Sequence, residues 1–181
     1  MSSYRRAYIA GATYFFTVNL ADRKARLLIE HVGELRRAFA DTREALRFDV
    51  NAIVILPDHL HCVWTLPPGD CDFSTRWRRI KAAFSHAIAP RESPSRSRTR
   101  KGEREIWQRR FWEHCIRDAE DYAAHMNYTH YNPVKHGYVK RVADWPYSSF
   151  HKCVREGLYP ADWGSYEEPS AAFGERRSAV V

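Results

Sequence analysis

Apolar positions along this chain switch between a period of two and a period near 3.6, and the switches mark out the elements. Residues 12–19, ATYFFTVN, are β-branched and aromatic and sit between Gly11 and a polar turn, which predicts a first strand. Leu28, Val32, Leu35, Phe39 and Leu46 recur at helical spacing and predict one helix over 27–46. The stretch 48–56, FDVNAIVIL, predicts a second strand, and its nearly continuous apolar end suits a central position. Pro57-Asp58 makes a tight turn into a third strand over 59–66, HLHCVWTL, which Pro67-Pro68-Gly69 ends. Over 74–89, Trp77, Ile80, Phe84 and Ile88 form the stripe of a second helix, with Arg76, Arg79 and Lys81 away from its centre. FWEHCIR, 111–117, predicts a short fourth strand.

A further helix opens at Asp118, which suits an N-cap, with Asp121 adding an acid to the first turn. Pro133 is expected to close it. Residues 145–157 predict a short appended helix with Ser148 and Ser149 near its start, and 164–181 read as a tail. The order β-α-β-β-α-β followed by helix predicts an α+β fold, ferredoxin-like, with an antiparallel sheet, helices packed on one face and a C-terminal helical extension. We divide the chain into a domain over 1–145 and an extension over 146–181. With 181 residues and 44% hydrophobic side chains, one domain with a substantial core is expected.

No apolar run approaches the ~20 residues that span a bilayer. The N-terminus lacks the order of regions of a signal peptide, so the expected location is the cytoplasm, with no membrane partner. Cys62, Cys71, Cys115 and Cys153 form no CxxC pair, which argues against a zinc finger and against disulfides.

Charge sharpens the picture. The net charge is +7, but 76–110 holds 12 Lys/Arg against 3 Asp/Glu, a local +9 that leaves −2 for the rest. That concentration is the footprint of a polyanion partner. Arg76, Arg78, Arg79, Lys81, Arg109 and Arg110 are candidate phosphate contacts, and Trp107 and Trp112 candidate stacking platforms for unpaired bases. Residues 90–103, PRESPSRSRTRKGE, read as a mobile basic loop.

Two further features carry chemistry. Strand alternation puts His59 and His61 on one side of the sheet, where two imidazoles can share a divalent cation; two half-buried histidines at a strand start explain the same spacing. Tyr128 and Asn132, four apart, share a helix face. A tyrosine is a competent nucleophile for phosphoryl transfer once a metal or base activates it, and Asn132 can offer an oxygen to the same ion. Spacing alone favours Tyr128 as an aromatic on the packed face of an amphipathic helix. Lys135 and His136 follow in a basic loop. Of the nearby histidines, His125 lies one turn before Tyr128.

The segments VILPDHLHCVWTLP, WQRRFWEHCIRD and YTHYNPVKHGYV, in this order, resemble the REP-associated tyrosine transposases, single-tyrosine members of the HUH endonuclease superfamily. The resemblance runs over about 14–147. It implies that His59 and His61 are the histidine pair with Leu60 between them, Tyr128 the nucleophile and Asn132 the third metal ligand. It also implies a Mg²⁺ or Mn²⁺ ion and a covalent 5′-phosphotyrosine with a free 3′-OH. The implied substrates are single-stranded DNA hairpins of repetitive extragenic palindromes. Thr129 stands where isoleucine is expected in many relatives, a matter of packing. Lys135 is assigned to DNA contact, and a monomer is favoured over a homodimer. A hairpin-binding module that no longer cuts, and a metal-dependent RNA nuclease, are the alternatives; the first would have lost a motif residue, and all four are present.

Overall fold

The computed structural model describes residues 7–88 and 106–164. The basic loop expected over 90–103 and the tail after Gly164 lie outside the described residues. Four strands, β1 (Thr13–Asn19), β2 (Asp49–Ile55), β3 (His59–Thr65) and β4 (Trp112–Cys115), form one sheet in the order β2-β3-β1-β4. Every pairing is antiparallel. The helices are α1 (Leu27–Glu30), α2 (Val32–Ala45), α3 (Phe73–Ile88), α4 (Ala119–Lys135) and α5 (Phe150–Arg155).

Strand alternation sorts the core. Tyr14, Phe16 and Val18 of β1 and Leu60, Cys62 and Trp64 of β3 face α2 and α3, where Leu35, Phe39, Trp77, Ile80 and Phe84 meet them. Phe15 and Val63 face the other way and pack with Met126 and Tyr128 of α4 and Cys153 of α5. Helices therefore cover both faces of the sheet, not one. Both faces of β3 consequently lie in contact with protein, and six of its seven residues are buried.

Two predicted helices change shape. The one over 27–46 is broken at His31, whose φ of −118° and ψ of 36° leave helical geometry. Pro133 does not end α4, which continues to Lys135. Proline removes one N–H, but its fixed φ suits a helix, and here the end of the helix is closed by other bonds. Gly137 adopts φ 71°, the Gly137 N–H donates to the Val134 carbonyl at 2.9 Å and the Tyr138 N–H to the Pro133 carbonyl at 2.9 Å. This is a Schellman closure, which a left-handed glycine makes available. At the other end the Asp118 carboxylate accepts from the Asp121 N–H, the expected cap.

The C-terminal segment does more than append a helix. The Ser149 N–H donates to the Ile53 carbonyl, and the Ile53 N–H donates to Ser149 Oγ, both at 2.8 Å. The Ile55 N–H donates to the Tyr147 carbonyl at 2.8 Å, so 147–149 cover the outer edge of β2. Ser149 caps α5 without a side-chain hydrogen bond; its hydroxyl serves the strand instead.

Candidate functional site

β3 and α4 bring the four motif residues together on the sheet face opposite α2 and α3. The His59 and His61 ring centroids are 5.1 Å apart, as expected for strand neighbours on one side. The Tyr128 ring lies 5.2 Å from His61, and His136, the C-cap of α4 about two turns further on, lies 5.1 Å from His59. Residues 128 and 132 share one face of α4 and His136 caps its end, which places Asn132 along the helix between the two contacts. Asn132 is fully buried, and neither its amide oxygen nor its nitrogen has a hydrogen-bond partner among the described residues. A buried, unpaired amide is costly and calls for a ligand to complete it.

The two imidazoles are oriented from behind. His59 Nδ1 lies 2.8 Å from Asp58 Oδ1, and Asp58 Oδ2 lies 2.6 Å from Arg23 Nε. Burial pushes the Asp58 carboxyl up, but the His59 hydrogen bond and the Arg23 charge outweigh it and hold the group below its ordinary range. The carboxylate is thus an acceptor, Nδ1 carries the proton, and the lone pair rests on Nε2. Burial lowers the affinity of His59 for a second proton, and the opposing pull of Asp58 is smaller. His61 Nδ1 lies 2.9 Å from Thr17 Oγ1 on the paired strand, in register with it. A neutral imidazole held by a carboxylate or hydroxyl is the arrangement that metal-binding histidines use.

The remaining predicted residues separate. Lys135 does not reach outward: Nζ donates to the Tyr128 hydroxyl at 3.1 Å and lies 4.5 Å from the ring centroid. Trp112, 37% exposed, stands edge-on to Phe15, whose ring also touches His61 and Tyr128. The Gln108 N–H donates to the Asn19 carbonyl at 3.0 Å, and Asn19 pairs with His59, so exposed Arg109 and Arg110 stand beside the histidine end of the sheet. Arg78 and Arg79 are exposed on α3, across the sheet from Tyr128, and Lys81 Nζ donates to the Gln108 carbonyl at 2.9 Å.

Two expectations are corrected. Arg76 is 2% exposed and binds Asp70 and the Arg47 carbonyl, because its place on α3 faces the turn after β3 rather than solvent. Trp107 is 8% exposed, bridged to Leu20 and packed on Phe84. Neither presents itself to a nucleic acid.

Sequence reasoning passed over Asp58, treated as a turn residue, and Thr17, although an acid directly before His59 was a usable signal. It also passed over a buried network. The Asp121 carboxylate accepts from His114 at 2.8 Å and from the Arg117 side chain at 3.1 Å, and His125 Nδ1 lies 2.8 Å from the Asp121 backbone carbonyl and 3.0 Å from its carboxylate. Burial alone would raise the Asp121 carboxyl; the hydrogen bonds from His114 and Arg117 more than reverse that, and it ionises well below the usual range. His125 stacks on His114 at 4.6 Å and on Phe15 at 4.8 Å. Ligand atoms of His114, Asp121 and His125 lie within 4.8 Å of one another, a spacing that could also hold a metal ion. The network ties β4 to α4 and buttresses the ring floor under Tyr128.

A sheet face bearing two oriented histidines, with a tyrosine and an asparagine laid over them from one helix, defines a class of tyrosine transposases, and comparison with known proteins agrees. The family model described as "Transposase IS200 like" matches residues 9–132. An Escherichia coli (strain K12) protein named REP-associated tyrosine transposase is 51% identical over 97% of this chain and 98% of its own. A Haemophilus influenzae protein named putative REP-associated tyrosine transposase is 48% identical over 91% of this chain and 94% of its own. A solved structure described as the REP-associated tyrosine transposase bound to a REP hairpin superposes with a TM-score of 0.84 at 49% identity, covering 97% of this chain and 98% of that one. The chain belongs to the REP-associated tyrosine transposases. No helix among its described residues is long and apolar enough to cross a membrane.

Proposed function

We propose that this transposase cuts single-stranded DNA beside a palindromic hairpin of the REP type and rejoins it through a phosphotyrosine. The observation that carries this is the juxtaposition of Tyr128, Asn132 and the histidine pair on a single chain. The hairpin-bound relative at 49% identity supports the substrate class. Tyr128 Oη attacks the scissile phosphorus, the 5′ side of the break stays on the tyrosine, and the 3′ side leaves as a hydroxyl. The 3′-hydroxyl of an incoming strand reverses the step.

His59 and His61, through Nε2, and Asn132, through its amide oxygen, are the residues that would hold Mg²⁺ or Mn²⁺. The unsatisfied Asn132 amide and the two imidazoles tied at Nδ1 fit such an ion. When bound, the ion polarises the scissile phosphate and neutralises the charge that develops there. Asp58 and Thr17 orient the imidazoles, Trp112 offers a face to an unpaired base, and Arg109 and Arg110 contact the backbone. Because one chain supplies every member of the site, it acts as a monomer, on chromosomal DNA in the cytoplasm.

The test is a denaturing gel with a labelled single-stranded hairpin from the source genome's repeats, with Mg²⁺ or EDTA. Wild type forms a metal-dependent adduct on the 5′ side of the cut. Tyr128→Phe forms none yet retains hairpin affinity, because only the nucleophilic oxygen is lost. Cutting by Tyr128→Phe at the wild-type rate would refute the assignment. Tight hairpin binding without any adduct would make the protein a binding module.

A further inference from the structure

The sequence places Lys135 among residues that hold DNA, yet its ammonium is aimed at the atom that would react. Lys135 is the last residue of α4, seven positions and about two turns after Tyr128, on the same face. Side chains lean toward the N-terminus of a helix, which directs a long lysine back along that face. Nζ ends 3.1 Å from Tyr128 Oη and 4.5 Å from the ring centroid. The helix end that carries it is held by the Schellman closure at Gly137, so the ammonium is mounted on a fixed turn rather than on a loop. That closure exists only because α4 continues past Pro133.

We infer that Lys135 is a catalytic residue of the transesterification, stabilising the negative charge on the Tyr128 oxygen in both directions of the reaction; this rests on the function proposed above. In the forward step the bond from Oη to phosphorus forms as the bond from phosphorus to O3′ breaks. The phenol loses a proton and the departing O3′ gains one, so a phenol and a phosphodiester become a tyrosyl phosphodiester and a 3′-hydroxyl with no co-reactant. In the reverse step Oη is the leaving oxygen and carries the charge. A fixed ammonium at hydrogen-bond distance from that oxygen stabilises the charged transition state without reorganising. It acts on both rates, leaving the equilibrium between hairpin and adduct where it was.

The experiment separates this from phosphate binding and from the parent proposal. Wild type, Lys135→Met, Lys135→Gln, Lys135→Arg and Tyr128→Phe are compared at saturating hairpin in single-turnover adduct formation, and the religation of isolated adduct is timed with a fresh 3′-hydroxyl strand. Hairpin affinity is measured separately across salt. Loss of the ammonium is expected to slow both directions on the order of a hundredfold, as removal of a charge-stabilising donor does elsewhere. Met and Gln should be equally slow and Arg should recover most of the rate, since it keeps the charge, while affinity and its salt slope stay unchanged. A merely structural lysine would not give a defect that follows charge across Met, Gln and Arg. A saturated rate equal to wild type in Lys135→Met, with affinity reduced, would overturn the inference and return Lys135 to backbone contact, leaving the function intact. Adduct formation by Tyr128→Phe, or none by wild type, would instead remove the parent proposal and this one with it.

Discussion

His130 sets a pH limit on the fold that can be calculated. It lies on α4, fully buried against Phe150 and Tyr159, with Nδ1 3.4 Å from Ser148 Oγ and no charged partner among the described residues. Burial alone pushes its imidazole down to about 4, from an ordinary value near 6.5. The unfolded chain therefore binds a proton between those values that the folded chain does not. Stability from this residue is intact above pH 6.5, is lost as pH falls, and falls no further below about 4. Integrating from pH 7.5 to 4.5 gives a loss of about 2.5 kcal/mol, at 1.36 kcal/mol per pH unit. His130→Phe keeps a buried ring and removes the titration. Urea unfolding followed by tryptophan fluorescence at several pH values measures both proteins, and the difference in slope, not in level, carries the answer. The variant loses the Ser148 contact and starts from a different level, yet wild type should lose about 2.5 kcal/mol more on acidification. Parallel curves would show that the folded protein protonates His130 without cost, and would refute the argument from burial.

Two further predictions separate residues that the sequence groups together. Arg76→Met should cost about 2–3 kcal/mol of stability, since it leaves the Asp70 carboxylate and the Arg47 carbonyl without their partner, and the salt slope of hairpin affinity should not move; Arg109→Ala should do the reverse, lowering the slope by about one phosphate contact in filter-binding titrations. Trp107→Ala should cost about 3 kcal/mol in thermal unfolding by opening the core, whereas Trp112→Ala should leave melting alone and weaken hairpin binding by ~1–3 kcal/mol, and an exchange of these outcomes would reverse the two assignments.

Much of the fold was legible because local pattern and global packing agree. Alternation in HLHCVWTL put His59 and His61 on one side and Leu60, Cys62 and Trp64 on the other, and the structure keeps that division. The cap at Asp118 and the shared face of Tyr128 and Asn132 were likewise local facts of spacing. What failed was read from residue type without its surroundings. Arg76 and Arg79 carry the same charge, but only one faces the turn holding Asp70, and Trp107 bridges to Leu20 and packs on Phe84 while Trp112 opens β4 beside Phe15 with part of its ring exposed. Pro133 looked like a stop because the closure that tolerates it depends on backbone bonds formed three to five residues later.

The sequence by itself determined the order of elements, the sidedness of the histidine pair and the shared helix face of Tyr128 and Asn132, because each follows from a period of two or of 3.6. Only the tertiary structure decided that α4 crosses to the uncovered face of the sheet and lays Tyr128 on His61. It also decided that Asp58 and Thr17 fix the imidazole nitrogens, and that Lys135 turns toward the Tyr128 oxygen instead of toward solvent. These are contacts between residues up to 67 positions apart, as between His61 and Tyr128, and packing of a helix on a sheet, not spacing along a chain, sets their distance.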